Sequence, residues 1–282
     1  MKLVRYGALG AEKPGMIDQD GALRDLSGHL HDIEPSTLTK ESLSALRALD
    51  PGNLPLVDGQ PRYGACVNAV PNFYCVGLNY VNHAKESGMA PPAEPILFSK
   101  ATSAIQGPND DVIIPKGSVK SDWEVELGVV IGAVTEHVSE AEALDCVAGY
   151  CLINDVSERS FQIERGGQWI KGKSAPTFGP IGPWLVTTDE IPDPQVLPLW
   201  LKLNGKTVQN SSTSDMIFSV ATIVSYMSQF MRLLPGDVIA TGTPEGVGMG
   251  MKPPRFLVDG DQLELGIEGL GVQNQNVHAF GH

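Results

Sequence analysis

Asp122-Trp123-Glu124-Val125-Glu126-Leu127-Gly128-Val129-Val130-Ile131 alternates strictly at its start, with Trp123, Val125 and Leu127 on one side and Asp122, Glu124 and Glu126 on the other. A period of two is the signature of a β-strand, and side chains two apart on a strand share a face, about 6.5 Å apart at the backbone. Glu124 and Glu126 can therefore converge on one ion. Glutamate alternating with apolar residues is equally ordinary on a half-solvated sheet, so the pattern alone leaves a metal site and a wet face both open. A second strand sharpens the choice. Val147-Ala148-Gly149-Tyr150-Cys151-Leu152-Ile153 is a continuous apolar run ending at Asn154-Asp155, which puts Asp155 at a strand end. Asp155 then either caps a helix over residues 156–159 or joins the two glutamates. In the second reading three carboxylates from two strands make a hard oxygen site suited to Mg²⁺ or Mn²⁺, with positions left for water or substrate.

Around this stretch the chain has 282 residues, enough for a large core and for one large domain with a smaller one. Lysine and arginine number 20 against 33 aspartates and glutamates, a net charge of −13, and no basic cluster interrupts the acidic balance. Nucleic acid and anionic membrane are therefore not expected as partners. Cys66, Cys75, Cys146 and Cys151 show no C-x-x-C spacing and sit among small or apolar residues, as reduced thiols do. The first residues lack the apolar core of a signal peptide, and the longest apolar run, residues 127–134, is too short to span a bilayer. A cytoplasmic protein is the expectation.

Residues 1–70 read as a small N-terminal domain: a strand over residues 2–6, a turn at Gly21 and a helix over about residues 40–49 ended by Asp50-Pro51-Gly52. His29 and His31 read there as surface histidines. Residues 71–282 read as the catalytic domain. A strand over residues 73–78 runs into Asn79-Tyr80-Val81-Asn82-His83-Ala84-Lys85-Glu86, a helical turn that puts His83 and Glu86 on one face. A histidine held by a carboxylate is the usual general base, although an exposed His/Glu pair has the same spacing. The proline-rich residues 89–95 that follow suit a lid. Further on come a capping box from Ser139 to Glu142, a helix over residues 157–165 from which Arg159 can face the site, and Lys171-Gly172-Lys173-Ser174. An Asn204-Gly205 hairpin, a helix over residues 216–230, and a strand opening into Gly242-Thr243-Pro244-Glu245-Gly246-Val247-Gly248 complete the pattern. That loop lacks the Lys of a phosphate loop, but its amides can bind a carboxylate. Leu263, Leu265 and Ile267 mark the last expected strand, with Glu264 and Glu268 solvated. Short strands dominate, so the class is a sheet-rich α+β fold.

Taken in order, Gly77-Leu78-Asn79-Tyr80 with His83 and Glu86, Glu124-x-Glu126, Asn154-Asp155, Lys171-Gly172-Lys173-Ser174 and Thr241-Gly242-Thr243-Pro244-x-Gly246-Val247-Gly248 resemble the fumarylacetoacetate hydrolase family over about residues 72–270. The resemblance implies a mixed β-roll preceded by a small N-terminal domain, a divalent metal, usually Mg²⁺, on Glu124, Glu126 and Asp155, and commonly a homodimer. It implies His83, Glu86 and Lys173 as catalytic residues, and Tyr80, Arg159, Gln162 and Thr243 as contacts for a 2-oxo acid. Within the family the chain is similar to the bacterial branch that cleaves 2,4-diketo-3-deoxy-L-rhamnonate or its fuconate relative, whose members often carry the label ureidoglycolate lyase. That branch implies hydrolysis of an acylpyruvate to pyruvate and a hydroxy acid such as lactate, with oxaloacetate decarboxylation and ureidoglycolate cleavage as rivals. One departure stands out: where the family often has Lys-Ser-x-Asp-Thr-Phe, this chain has Lys173-Ser174-Ala175-Pro176-Thr177-Phe178.

Overall fold

The strand expected over residues 122–131 is shorter: Val125–Ile131 lies inside a nine-stranded sheet with both faces buried, while Asp122 pairs in a separate two-stranded sheet and Trp123 and Glu124 link the two. The computed structural model describes residues 1–281. Across the sheet the strands run Leu23–Asp25, Lys13–Ile17, Lys2–Tyr6, Leu185–Thr187, Val147–Asn154, Val125–Ile131, Val238–Ala240, Phe73–Gly77 and Ile96–Lys100. All neighbours are antiparallel except the parallel pair Val238–Ala240 and Phe73–Gly77. The N-terminal strands thus continue the sheet through the pairing of Lys2–Tyr6 with Leu185–Thr187. A five-stranded sheet carries Lys206–Ser212, Pro198–Leu203, Gln262–Ile267, Gly271–His278 and Val112–Ile113 in that order.

Val125, Leu127, Val129 and Ile131 face the core shared with Leu199, Leu201, Leu263 and Leu265 and with the helix Val220–Ser228. Val130 and the neighbouring Cys151 and Ile153 face a second core under the N-terminal segment, built on Leu26, Ile33, Leu38 and Leu43. The wet face allowed by the sequence is absent, since every residue of Val125–Ile131 is buried. Mixed strand pairing, two large sheets with two small ones beside them, and few helices make this a sheet-rich α+β fold.

Local chemistry sets where the helices begin. Ser139 and Glu142 form the expected capping box, with Ser139 N donating to Glu142 Oε2 at 3.0 Å. The helix expected over residues 216–230 is shorter, Val220–Ser228, because Asn79 takes up the backbone amides of Ile217 and Phe218 at 2.8 Å each before it starts. The helix expected over residues 157–165 is only Arg159–Ile163, since Ser157–Glu158 pairs as a short strand with Ser121–Asp122. Glu158 caps it, its Oε1 accepting from Ser160 N at 3.1 Å, so Asp155 is spared that task. Asn204 and Gly205, at φ 52° and 77°, close the expected hairpin. Gly271–His278 is a strand beyond the last one expected. Among the described residues, no helix is long and apolar enough to cross a membrane.

Candidate metal centre and its cavity

Register brings the three acids together. Val147–Asn154 pairs antiparallel with Val125–Ile131 so that Ile153 stands opposite Glu126 and Asn154 opposite Val125. One step further, Asp155 N donates to Glu124 O at 2.9 Å. Residues directly opposite on paired strands share a face, so Glu124, Glu126 and Asp155 point the same way. Carboxylate oxygens of all three lie within 4.8 Å of one another, and all three side chains are buried.

Basic groups surround them unevenly. Lys173 Nζ donates to Glu124 Oε2 and Asp155 Oδ2, both at 2.6 Å. Lys100 bonds the other Asp155 oxygen and donates to Val156 O at 3.0 Å. Arg159 donates through Nε to Asp122 Oδ2 at 2.8 Å and places Nη2 2.8 Å from Glu124 Oε1. Among the described residues Glu126 receives only a backbone bond, from Gly242 N at 2.7 Å. Burial pushes the Glu126 carboxyl well above the ordinary range, and the charges of Asp155 and Glu124 add to that. Burial would raise Glu124 too, but Lys173 and Arg159 outweigh it and hold that carboxyl low. Lys173 is shifted upward: burial opposes its charge, and Asp155 and Glu124 more than compensate. Counting Asp122, four buried carboxylates face three buried basic groups. A compact, oxygen-only, electron-rich set of this kind fits a hard divalent cation.

The centre opens into a cavity of about 370 Å³, lined by Glu124, Glu126, Arg159, Lys173 and His83 among others. His83 is buried on the short helix Val81–Glu86, and its Nδ1 lies 3.5 Å from Glu86 Oε2, long for a hydrogen bond but within reach of one. Glu86 is fixed from the far side, its two oxygens accepting from Gly246 N at 3.0 and 3.2 Å. Only glycine suits that position: φ is +97°, and a Cβ there would sit 1.9 Å from the Val208 carbonyl oxygen. The glycine loop thus serves the His83 partner.

The structure brings His83, Lys173, Arg159, Gln162 and Thr243 to one cavity with two of the carboxylates, Asp155 standing just behind. Their polar atoms are not equally available. The Thr243 hydroxyl donates to Val125 O at 3.0 Å and accepts from Gln209 Nε2 at 2.9 Å. Gln162 Oε1 accepts from Arg159 Nη1 at 3.2 Å, which leaves its NH₂ for a ligand. Tyr80 does not line this cavity. It is fully buried beside Asp215 and Glu245, with a hydroxyl that has no hydrogen-bond partner among the described residues. Burial, then the Glu126 charge, push that phenol well above its ordinary value. Lys171 stays exposed, bonded to Arg165 O. Where the family's aspartate is missing, Ser174 Oγ accepts from Ala101 N at 2.8 Å and Thr177 Oγ1 from Ile113 N at 2.9 Å, so the turn closes without it. The irregular residues 89–95 reach the cavity through Met89.

Sequence reasoning missed Lys100, Asp122, Phe98 and Trp169. Lys100 ends an apolar strand, the one available hint that its ammonium is buried. Asp122 accepts from Gly248 N at 2.7 Å and Met249 N at 3.0 Å besides Arg159, tying the glycine loop to the centre. Trp169 meets Phe98 edge-on, with ring centroids 5.2 Å apart.

The arrangement has known counterparts. The family model for the C-terminal part of fumarylacetoacetate (FAA) hydrolase matches residues 72–278. The chain belongs to the fumarylacetoacetate hydrolase family. A protein of Burkholderia lata, whose name assigns it provisionally to the hydrolases, is 61% identical over 277 residues, 98% of each chain. The solved fumarylacetoacetate hydrolase of the psychrophile Exiguobacterium antarcticum is 36% identical with a TM-score of 0.88, covering 99% of each chain. Maleylpyruvate hydrolase of Sphingobium sp. SYK-6, solved with manganese(II) and pyruvate, is 27% identical with a TM-score of 0.81, again over 99% of each.

Proposed function

We propose that this protein hydrolyses a carbon–carbon bond in a 2,4-diketo acid, an acylpyruvate, releasing pyruvate, with a divalent cation, Mg²⁺ or Mn²⁺, held by Glu124, Glu126 and Asp155. The observation that carries the reading is the buried acidic triad and His83 meeting at one cavity. The Sphingobium maleylpyruvate hydrolase, with its manganese and pyruvate, supports it. When bound, the cation would supply Lewis-acid polarisation and a template for the carboxylate and 2-oxo group. His83, oriented by Glu86, takes a proton from water as the water oxygen attacks the C4 carbonyl. Lys173 lies close to the triad and stabilises the negative charge that develops on oxygen. The C3–C4 bond then breaks with its electron pair passing to C3, and the proton held on His83 completes the methyl group of pyruvate. The second product is the carboxylic acid of the acyl group, a hydroxy acid such as lactate in the sugar-acid case.

Oxaloacetate decarboxylation would use the same cation but needs no activated water, and the His83–Glu86 pair favours hydrolysis. The test is product release from acylpyruvates, oxaloacetate and ureidoglycolate, with Mg²⁺ and after EDTA. His83→Ala lowers hydrolysis by roughly a hundred- to ten-thousandfold, while any decarboxylation persists. Full activity without metal, or equal loss of both reactions in the variant, overturns the reading.

A further inference from the structure

The cavity is chemically lopsided. Its basic groups are His83, Arg159 and Lys173, and all three are tied to the carboxylate end: His83 beside Glu86, Arg159 on Asp122 and Glu124, Lys173 on Glu124 and Asp155. Away from them the wall is mostly apolar, with Phe98, Trp169, Met89, Ile163 and Met249 as its large side chains. Phe98 starts that wall at the catalytic end, with Lys173 Nζ 5.1 Å from its ring centroid, and Trp169 extends it. Gly77 makes room for the indole, since a Cβ there would lie 2.5 Å from Trp169 Cζ3. Besides the catalytic groups, the side-chain polar atoms left for a substrate tail are the Ser87 hydroxyl, the Gln162 amide and the Trp169 indole N–H, because the Thr243 hydroxyl is engaged in both directions.

From this lining we infer that the acyl group is apolar: the substrate is a 2,4-diketo monocarboxylic acid with an alkyl or aryl tail, and Trp169 with Phe98 sets that preference. The inference rests on the acylpyruvate reading and narrows it. A polyhydroxylated acyl chain would bury hydroxyls against aromatic carbon with too few partners, each unpaired hydroxyl weakening binding, whereas the single hydroxyl of a lactoyl tail can be paired by Ser87 or Gln162 and is disfavoured less. A second carboxylate would meet no uncommitted cation among the residues of the wall. An apolar tail loses nothing and gains from leaving water. The volume, about 370 Å³, suits a short tail, being at the small end of ligand cavities.

The holoprotein with Mg²⁺ is assayed for pyruvate release from acetyl-, butanoyl-, hexanoyl- and benzoylpyruvate, from a polyhydroxylated 2,4-diketo-3-deoxy acid, and from the dicarboxylate maleylpyruvate. The expected kcat/KM climbs about fourfold per added methylene until the cavity fills, and benzoylpyruvate exceeds both polar substrates by roughly tenfold or more. Trp169→Ala flattens that climb, costing hexanoylpyruvate more than acetylpyruvate. Met249→Arg, a second probe at another position, shifts the ratio toward maleylpyruvate. Turnover that favours the hydroxylated acid or the dicarboxylate in the unaltered protein overturns this inference and leaves the proposed reaction standing. Absence of turnover on every acylpyruvate overturns both.

Discussion

Among the clusters of buried charge in the described residues, two are built on opposite principles. In the N-terminal segment Arg5 grips Asp32 with two bonds, Nε to Oδ1 at 2.7 Å and Nη2 to Oδ2 at 3.0 Å. Asn68 Nδ2 and Ile33 N, both at 2.8 Å, complete the Asp32 shell. Arg62 then joins Glu12 at 2.8 Å to Asp110 at 2.7 Å. Each carboxylate there has a protein donor of matching geometry. In the candidate metal centre Glu124 and Asp155 share Lys173, while Glu126 has a single amide among the described residues. A saturated cluster fixes the fold, whereas an under-paired carboxylate beside two others is held ready for a cation.

That contrast can be broken by matched substitutions. The largest effect is expected from Glu126→Gln, which strands no buried cation and should cut metal-dependent activity by more than the ten- to hundredfold typical of losing an outer partner of a metal site. Its unfolding in EDTA should change far less. Arg5→Leu should do the reverse, costing about 3–5 kcal/mol of stability because Asp32 is left buried without its cation. The folded fraction should keep kcat/KM within about twofold. Denaturant melts and pyruvate assays on both proteins decide it, and a loss of both properties in each would erase the distinction.

Lys100→Met sharpens it. Lys100 touches Asp155 without lining the cavity, so Mn²⁺ affinity measured by calorimetry should fall roughly ten- to hundredfold, with little change in acylpyruvate specificity. The smallest effect is one of pH. Glu126 is raised by burial and its acidic neighbours, so the folded state takes up a proton more readily than the unfolded one. That contribution is fullest below the ordinary value of 4.5 and is lost as pH rises. Glu12 has the opposite sign. Burial opposes its charge, but the bond from Arg62 leads a set of favourable interactions that hold its carboxyl below 4.5, so its stabilisation is present above that value and is lost in acid. In EDTA the melting temperature should therefore fall as the pH is raised above the ordinary carboxylate value of 4.5, and Glu126→Gln or saturating Mg²⁺ should flatten that slope. A slope unchanged by either would detach it from Glu126.

The candidate metal centre was legible because its three carboxylates obey backbone rules: period two placed Glu124 with Glu126, and an apolar run ending at Asp155 set the third acid at a strand end. Lys100 was hidden because a lone lysine has no pattern, and its burial depends on an ion pair 55 residues away in sequence. Trp169 follows a double glycine in a segment with no period, so nothing local tied it to Phe98. Tyr80 was assigned by resemblance alone, and it lies buried near Glu126 without lining the cavity. The strand Gly271–His278 escaped notice for a further reason. Its inward residues include Gln273 and Gln275, which are buried but polar, so hydrophobic alternation does not register there.

Those glutamines matter beyond the strand they belong to. Gln273 Nε2 donates to Leu152 O and Gly182 O at 2.9 Å each, and its Oε1 accepts from Gln275 Nε2 at 2.7 Å. Gln275 Oε1 accepts from Asn154 Nδ2 at 2.8 Å, and Asn154 Oδ1 accepts from Glu124 N at 3.2 Å. The spacing between the two ligand-bearing strands is therefore braced by a relay of primary amides. Amides neither gain nor lose protons across the biological range, so acid that neutralises the carboxylates leaves their scaffold in place, and the ligand frame outlasts the charge it carries.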